Sequence, residues 1–376
     1  MEGFGVAVAA ALSDRGSIDP APLDPAAATS GSFYDAVPYD GGAQAALLPG
    51  RVRGAAAALG FAPGEVRREA GAAAPDVLDV GCGAGAQLLA AAHTSAGRMV
   101  GIDASAQACD VARGRGAGFG ARWEIHHGGD GLLDPAVLGQ FDVIYVIGTL
   151  YVMPAEVRAR VLAGIAACLR PGGVVAVSYY AGVSALVRTR LARLLRDQND
   201  PAWPVSQQVA TARANIRQIA AAVPPEGSPQ QGASRAIVQE TLSSMAGYGD
   251  TVLFHEALGP VFDTLLTADV AAALAERGVG FVNCLPAVPV QAGATSRAAA
   301  LAADAWDFAT GGGYRLALFG RDGGGAAVPG LSGRGWSGGP AWQRCGRRWA
   351  GRCSAIRRAG WRCGPRGWRC RRRAPA

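Results

Sequence analysis

Three glycines at alternate positions follow a short apolar run in the first third of the chain. Residues 76–85 read Asp-Val-Leu-Asp-Val-Gly-Cys-Gly-Ala-Gly, which predicts a buried strand that ends in a loop before a helix over residues 86–96. Because glycine has no Cβ, a ligand can approach the backbone closely at Gly81, Gly83 and Gly85, where the first N–H groups of the helix also point. The pattern indicates a site for a nucleotide-like ligand.

The acid Asp79 helps to decide which ligand this is. The spacing Gly81-x-Gly83-x-x-Ala86 also satisfies the loose dinucleotide fingerprint, so an NAD-binding oxidoreductase is one alternative. A pyrophosphate gains nothing from an added carboxylate, whereas a ligand with an ammonium and a sulfonium does. The motif Asp79-x-Gly81-x-Gly83-x-Gly85, with the later turn Leu-Arg-Pro-Gly-Gly at residues 169–173, resembles class I S-adenosylmethionine-dependent methyltransferases. The resemblance implies S-adenosylmethionine as the cofactor.

Two further acids follow the next predicted strands. Residues 99–103 read as a buried strand that ends in Asp103, and in doubly wound sheets an acid at this place accepts hydrogen bonds from ribose hydroxyls. The alternative for Asp103 is a helix N-cap. A third strand near residues 123–126 leads to Asp130, where the family pattern places an acid near the adenine amino group. The expected cofactor-binding residues are Asp79, Gly81, Gly83, Gly85, Asp103 and Asp130.

The apolar segments predict the fold that positions these residues. Residues 141–147 are nearly all apolar, as expected for a strand buried on both faces at the centre of a sheet. Further strands are predicted over residues 174–180, 281–285 and 314–321. The alternation of strands and helices predicts an α/β fold. By resemblance, it is a doubly wound, seven-stranded, mostly parallel, Rossmann-like sheet of the class I methyltransferase type, with the last strand antiparallel and a helical lid inserted after the fifth strand.

The chain is expected to divide into five parts. They are a mobile lead-in (1–30), the first part of the core with an N-terminal gate segment (31–182), a helical regulatory or lid insertion (183–263), the second part of the core (264–321) and a tail rich in Arg, Trp and Cys (322–376). An insertion after the fifth strand emerges at the carboxyl ends of the strands, where ligands bind. The tail is expected to be disordered or translated from a shifted reading frame, with an RNA-binding tail as the alternative.

Other motifs narrow the resemblance and concern the methyl acceptor. Tyr34-Asp35-x-Val37-Pro38-Tyr39 and Leu253-Phe254-His255-Glu256-x-Leu258 resemble bacterial methyltransferases that carry a methyltransferase regulatory domain, as does Trp-Asp-Phe at 306–308. This implies an acceptor that is a protein lysine or a small molecule. The loops at 148–154 and 178–184 depart from the family pattern, which leaves the acceptor open.

Candidate residues for the acceptor side are aromatic. Tyr34, Tyr39 and Tyr179 can orient an amine through hydrogen bonds and cation–π contact. His255, with Glu256 beside it, can reach the same place and is a candidate base, although a packed histidine with one hydrogen bond is the alternative. No metal is expected, because the cysteines are scattered and because the adjacent His126 and His127 face opposite sides of a strand.

Composition excludes other classes of function. No run reaches the roughly 18 to 20 apolar residues of a membrane span, and the apolar segment near the start lacks a basic flank, so a cytoplasmic location is expected. Thirteen of the 36 basic residues lie from residue 330 onward, where no acidic residue occurs, so the rest of the chain carries 23 against 29 acids. The charge of this part of the chain therefore does not favour a nucleic-acid partner. A cofactor-binding module without catalytic activity is the remaining alternative.

Overall fold

The structure is a computed structural model of the chain. It describes residues 30–39, 41–65, 68–69, 72–223, 229–291, 294–323, 361–362 and 371–372. The chain forms two compact units, residues 1–328 and 329–376. In the second unit, Trp361–Arg362 pairs antiparallel with Arg371–Arg372. The predicted lead-in, apart from Ser30, and most of the predicted tail lie outside the described residues.

One sheet of seven strands organises the first unit. In chain order its strands are β1 (Val77–Val80), β2 (Met99–Asp103), β3 (Trp123–His127), β4 (Phe141–Val146), β5 (Leu169–Tyr180), β6 (Val279–Leu285) and β7 (Tyr314–Arg321). They lie in the order β3-β2-β1-β4-β5-β7-β6. β7 runs antiparallel to both of its neighbours, β5 and β6, and the other adjacent pairs in this sheet are parallel. The predicted doubly wound fold, with an antiparallel last strand, is confirmed.

Helices cover both faces of the sheet and account for its apolar strands. Every residue of β1 and of β4 is buried, as two-sided cover requires. The helices are α1 (Ser30–Ala36), α2 (Pro49–Ala58), α3 (Ala86–Thr94), α4 (Ala106–Gly116), α5 (Pro135–Leu138), α6 (Ala155–Cys168), α7 (Gly182–Asp197), α8 (Val205–Ala222), α9 (Pro229–Ala246), α10 (Asp250–Leu253), α11 (Thr267–Ala275) and α12 (Ser296–Thr310). One face packs against α2, α3 and α4, and the other against α6, α11 and α12.

Two elements differ from the sequence prediction. Strand β5 begins at Leu169, because Leu169 already pairs with Phe141 before a register irregularity. The long helix α12 between β6 and β7 was not predicted. Its N-cap is Thr295, whose hydroxyl accepts a hydrogen bond from an amide of the first turn, and it ends at Gly311 in the left-handed conformation, as is common at helix ends.

The chain from α7 through the residues after α10 forms a helical insertion with its own apolar core. After α10 the helix continues as a π-helical turn, Phe254–Leu258, a feature that occurs often at functional sites. We call residues 182–258 the insertion. Its core includes Leu195, Ile216 and Leu253, together with Phe33 and Val37 from the start of the described chain. The predicted helical insertion after the fifth strand is confirmed, and its role as a lid stays a prediction.

Among the described residues, no helix combines the length and the apolar character needed to cross a lipid bilayer.

Candidate functional site

The loop after β1, residues 81–85, has one open position. Gly81, Gly83 and Gly85 all have positive φ, at 74°, 52° and 78°, which favours glycine. A Cβ built on Gly81 would lie 2.4 Å from Thr149 Oγ1, whereas the nearest atom to a Cβ on Gly83 is the carbonyl oxygen of Tyr39 at 3.9 Å. Gly81 is therefore required by packing, and Gly83 leaves its backbone open to a ligand. We call residues 81–85 the glycine loop.

Asp103, at the end of β2, is held against the glycine loop. Its Oδ2 accepts a hydrogen bond from the Gly83 N–H at 2.8 Å, and its Oδ1 accepts one from the Ser105 N–H at 2.8 Å. Burial raises the pKa of Asp103, and these two donors oppose that shift. The N-cap of α4 is Ser105, whose hydroxyl accepts from the Ala108 N–H at 3.0 Å. The alternative role of Asp103 as the N-cap is therefore wrong.

Asp79 is a buried carboxylate close to Asp103. It is 4 % exposed, and within the part of the chain that the structure describes no group donates a hydrogen bond to it. Burial, and then the charge of Asp103, raise the pKa of Asp79 to about 7. Among the described residues, the carboxylate at the end of β1 thus has no compensating cation or donor, which is costly in a protein interior.

The structure shows no contact between Asp130 and either Asp79 or Asp103. Asp130 lies in a short 3₁₀ turn, Asp130–Leu132, and its carboxylate forms an ion pair with Arg160 of α6. The loop before it touches β2, because the Gly128 N–H donates to the carbonyl of Asp103 at 2.9 Å. The assignment of Asp130 to the adenine stays a prediction.

Residues 33–39, which we call the N-terminal segment, touch both the cofactor side and the insertion. Asp35 Oδ1 accepts a hydrogen bond from Ser105 Oγ at 2.5 Å and from the Gln107 N–H at 3.1 Å. At its other side, the ring of Phe33 stacks on Phe254 of the insertion, with centroids 4.8 Å apart. The segment therefore bridges the start of α4 and the insertion.

His255 is enclosed by rings of the N-terminal segment. Its imidazole stacks on Tyr34 with centroids 4.7 Å apart and meets the edge of Tyr39 at 5.3 Å. Nε2 lies 2.7 Å from the carbonyl oxygen of Val37, and the buried Nδ1 has no hydrogen-bond partner among the described groups. Burial lowers the pKa of His255 to about 4. His255 is therefore neutral near pH 7 and carries one ring proton. This proton lies on Nε2, because the carbonyl oxygen of Val37 can only accept a hydrogen bond.

The carboxylate of Glu256 lies at the centre of a second polar cluster. Glu256 is 8 % exposed. Its Oε1 accepts from the Tyr151 hydroxyl at 2.9 Å, and its Oε2 accepts from the Tyr180 hydroxyl at 3.0 Å. Arg188 Nη1 lies 3.9 Å from Oε2, too far for a hydrogen bond. We call these four residues the Glu256 cluster. Burial raises the pKa of Glu256, and Arg188 and the two hydroxyls oppose the shift.

Tyr34 and Tyr39 lie near the Glu256 cluster, whereas Tyr179 does not. Burial, followed by the charge of Glu256, raises the pKa of Tyr34 and of Tyr39. Asp103 also raises the pKa of Tyr34, so this phenol lies within electrostatic reach of both acids. Tyr179 is 0 % exposed, and its hydroxyl donates to Thr267 Oγ1 at 2.9 Å. Successive residues of a strand face opposite sides, and the structure brings Tyr180, not Tyr179, to Glu256.

Two features of the sequence indicate the Glu256 cluster. Strand alternation through β5 separates Tyr179 from Tyr180, and a carboxylate at Glu256 within an apolar stretch requires a buried partner. No group of histidine, cysteine or acidic side chains within the described ranges is arranged to bind a metal ion.

Comparisons with known proteins agree with this fold. Residues 77–173 match the family described as a methyltransferase domain. The structure of PKMT2 from Rickettsia typhi in complex with AdoHcy is 19 % identical, with a TM-score of 0.62 over 76 % of this chain and 55 % of that chain. A second structure of PKMT2 from Rickettsia typhi is also 19 % identical, with a TM-score of 0.60 over 75 % and 54 %. The chain thus spans about half the length of PKMT2. No curated protein matches the sequence.

The sheet order, the glycine loop and the matched domain together define the class. Residues 77–173 form a methyltransferase domain, and the sheet has the Rossmann-like fold of class I methyltransferases. The narrower resemblance to methyltransferases with a regulatory domain stays a prediction.

Proposed function

We propose that the protein transfers a methyl group from S-adenosylmethionine to an acceptor that binds between the carboxyl edge of the sheet and the insertion. The acceptor is a protein lysine or a small molecule. The observation that carries the proposal is the position of Tyr34, which stacks on His255 beside Glu256, while the next residue, Asp35, binds the Ser105 hydroxyl two residues after Asp103. This tyrosine links the glycine loop to a buried, tyrosine-lined carboxylate at the same edge of the sheet.

The residues at this edge fit the cofactor. Gly83 leaves room for a ligand at the backbone. Asp103 is fixed by two backbone donors, which suits a carboxylate that receives ribose hydroxyls. Asp79 has no partner in the described structure and suits an ammonium group. When bound, the cofactor supplies a methyl carbon that its sulfonium already makes electrophilic.

The remaining task for the protein is to place the acceptor and exclude water. Alignment of two reacting groups accounts for a large part of the rate of such transfers. Tyr34, Tyr39 and Tyr180 supply rings and hydroxyls for this purpose, and their phenols stay protonated because burial raises their pKa values. The insertion covers the same edge and shields it from solvent.

His255 acts in this proposal as a positioning residue. Its proton holds the carbonyl of Val37, and its ring supports Tyr34 and Tyr39. A group whose pKa is lowered to about 4 is a weak base near neutral pH. Tyr179 contributes to stability through Thr267 rather than to the acceptor site.

Two alternatives are less well supported. An NAD-binding oxidoreductase gains nothing from Asp79, since a second carboxylate next to Asp103 repels a pyrophosphate. A non-catalytic module needs no buried carboxylate on the acceptor side. The AdoHcy in the structure of PKMT2, the demethylated form of the donor, favours the methyltransferase.

Calorimetry with S-adenosylhomocysteine and with NAD⁺ tests the cofactor. We expect micromolar-range binding of the former and none of the latter. Radiolabelled S-adenosylmethionine, incubated with the protein and with fractions of a cell lysate or metabolite extract, then tests transfer. Binding of NAD⁺ alone would overturn the proposal, and cofactor binding without any labelled product across these fractions would favour the non-catalytic module.

A further inference from the structure

The N-terminal segment crosses the edge of the sheet at the proposed cofactor site. Asp35 lies at the start of α4, where it binds Ser105, two residues after Asp103. Further along the segment, the carbonyl oxygen of Tyr39 is the nearest atom to the open side of Gly83, at 3.9 Å from the position of a Cβ. The segment therefore passes from the end of β2 to the glycine loop. A ligand that contacts both Asp103 and Gly83 has this segment as one of its walls.

The carboxylate of Asp35 holds one side of the segment on α4. Its Oδ1 accepts from the Ser105 hydroxyl at 2.5 Å and from the Gln107 N–H at 3.1 Å. The Gln107 N–H belongs to the first turn of the helix, whose N–H groups have no partner within the helix. The same end of the helix attracts a negative charge. Asp35 thus supplies a charged acceptor to α4 from 70 positions before Ser105.

The opposite side of the segment is held by the insertion through buried contacts. The Val37 carbonyl accepts from His255 Nε2 at 2.7 Å, and Val37 itself is 2 % exposed. The ring of Phe33, which is also buried, stacks on Phe254 with centroids 4.8 Å apart. Asp35, by contrast, is partly exposed. The contact of Asp35 with α4 is therefore the one that can break while the segment stays on the insertion.

Two exposed glycines follow the segment. Within the described structure, neither Gly41 nor Gly42 forms a hydrogen bond. The chain is fixed again at Gln44, whose N–H donates to the side-chain oxygen of Gln87 in the first turn of α3 at 2.7 Å. Because glycine has few backbone restrictions, these two residues can change conformation without loss of packing. They are suited to act as a hinge for the segment.

We propose that the N-terminal segment is a cover over the cofactor site, that Asp35 holds this cover closed, and that the cofactor enters and leaves only when Asp35 separates from α4. The inference rests on the proposed function and adds to it the step that limits exchange of the cofactor. Asp35 is a positioning residue in this scheme, since it acts through the segment and not on the ligand. Each turnover then requires one opening of the cover to exchange the product for new cofactor.

Rate constants for ligand exchange test the cover. Binding of S-adenosylhomocysteine to the full chain is followed by stopped-flow tryptophan fluorescence, since the ring of Trp123 lies 3.3 Å from the position of a Cβ on Gly85 of the glycine loop. The dependence of the observed rate on ligand concentration gives the rate constants for association and dissociation. A cover that opens for both steps predicts that a weakened closure raises both rate constants by a similar factor and leaves Kd nearly unchanged.

Two substitutions should move these rate constants in opposite directions. Asp35→Ala removes both hydrogen bonds to α4, so we expect association and dissociation to be about tenfold faster, with Kd changed by less than about threefold. Gly42→Ala fits the closed conformation, since open space surrounds Gly42, and it restricts the hinge. Both rate constants should then fall by about two- to fivefold. Asp110→Ala, which removes an exposed carboxylate of the same helix, is the control and should change neither.

The outcomes separate the cover from the proposed function. Rate constants in Asp35→Ala that equal those of wild type would overturn the cover and leave the cofactor assignment intact. Faster dissociation with unchanged association would show that Asp35 touches the ligand directly, which also overturns the cover. A wild type that does not bind S-adenosylhomocysteine would overturn both proposals. Melting temperatures show whether each variant is folded. If Asp35→Ala does not fold, unchanged rate constants in Gly42→Ala would count against the cover.

Discussion

The proposed cofactor side and the proposed acceptor side of the site are built in different ways. The cofactor residues Asp79, Gly83 and Asp103 lie between positions 79 and 103, on two neighbouring strands and the loop between them. The acceptor side draws Tyr34 from the N-terminal segment and Glu256 from the insertion, and these are far apart in the chain. A short stretch of sequence thus specifies the first side, whereas the second exists only once the whole unit has folded.

The two sides also share an electrostatic feature. Each contains a buried carboxylate, Asp79 on the cofactor side and Glu256 on the acceptor side. No described group donates a hydrogen bond to Asp79, whereas Glu256 receives two hydroxyl hydrogen bonds and has Arg188 beside it. An uncompensated carboxylate destabilises the ligand-free protein and favours a cationic ligand, and this applies to Asp79.

The largest expected effect is on the cofactor side. Gly83→Arg should abolish measurable binding of S-adenosylhomocysteine, because a side chain would fill the open space beside the glycine loop. Gly278→Arg is the matched control, since Gly278 has a φ of 74° and open space around it but lies at the opposite edge, before β6. Calorimetry on both variants checks this. Retained affinity in Gly83→Arg would remove the glycine loop from the site.

Asp103→Ala should weaken binding of S-adenosylhomocysteine by about 1 to 3 kcal/mol, the value of a hydrogen bond to a charged group. The loss includes the contact that Asp103 makes with the Gly83 N–H. Asp110→Ala is the control, because Asp110 is an exposed residue of α4 paired with Arg113. Unchanged affinity in Asp103→Ala would mean that the ribose lies elsewhere.

Asp79→Asn should stabilise the cofactor-free protein by about 1 to 3 kcal/mol at pH 7.5, while weakening cofactor binding. The folded protein retains a proton on Asp79, whose pKa is raised to about 7, that the unfolded chain has lost above its ordinary value of 3.8. The contribution of the protonated Asp79 to stability is therefore fully present below pH 3.8 and is lost as the pH rises through about 7. Urea unfolding from pH 4 to pH 8 measures this slope, which Asp79→Asn should reduce.

His255 on the acceptor side should give the opposite pH dependence. Its folded pKa is lowered from 6.5 to about 4, so its contribution to stability is present above pH 6.5 and is lost as pH falls through 4. His255→Gln keeps a donor for Val37 and should reduce this dependence by about 1 to 2 kcal/mol. The same urea series applies. A slope equal to that of wild type would show that folding does not lower the pKa of His255.

The smallest effects are expected for two neighbouring tyrosines. Tyr179→Phe and Tyr180→Phe each remove one hydroxyl hydrogen bond and should each cost about 1 kcal/mol of unfolding free energy. Neither should change the affinity for S-adenosylhomocysteine, measured by calorimetry. A loss of cofactor affinity in Tyr180→Phe would show that the two sides of the site are coupled.

The sequence predicted most of the fold because its signals are local. The apolar runs of β1 and β4 and the glycines after β1 act within a few residues of each other, and the structure keeps them together. The N-cap of α4 is Ser105 and not Asp103. The apolar periodicity of the sequence does not place a helix start to within two residues. Helix α12 was missed because its buried apolar positions are alanines, Ala299, Ala300 and Ala303, rather than large apolar residues.

The acceptor side could be predicted only in part, since it depends on contacts between distant residues. The family motifs indicated Tyr34, Tyr39 and His255, and these do lie together. Which of two adjacent tyrosines meets Glu256 depends on the face of β5 that the insertion covers. Strand alternation shows only that the two tyrosines face opposite sides of the sheet, and which side the insertion covers is a property of the folded unit.

The position of β7 has a consequence for how the protein is made. This strand lies between β5 and β6 and pairs with both, yet it is the last strand of the sheet to be synthesised. β5 therefore leaves the ribosome on the order of 10 s before its partner, with an apolar run and an unpaired row of backbone groups along one edge. The nascent chain should depend on chaperones during that interval, and the sheet can close only after residues 314–321 emerge.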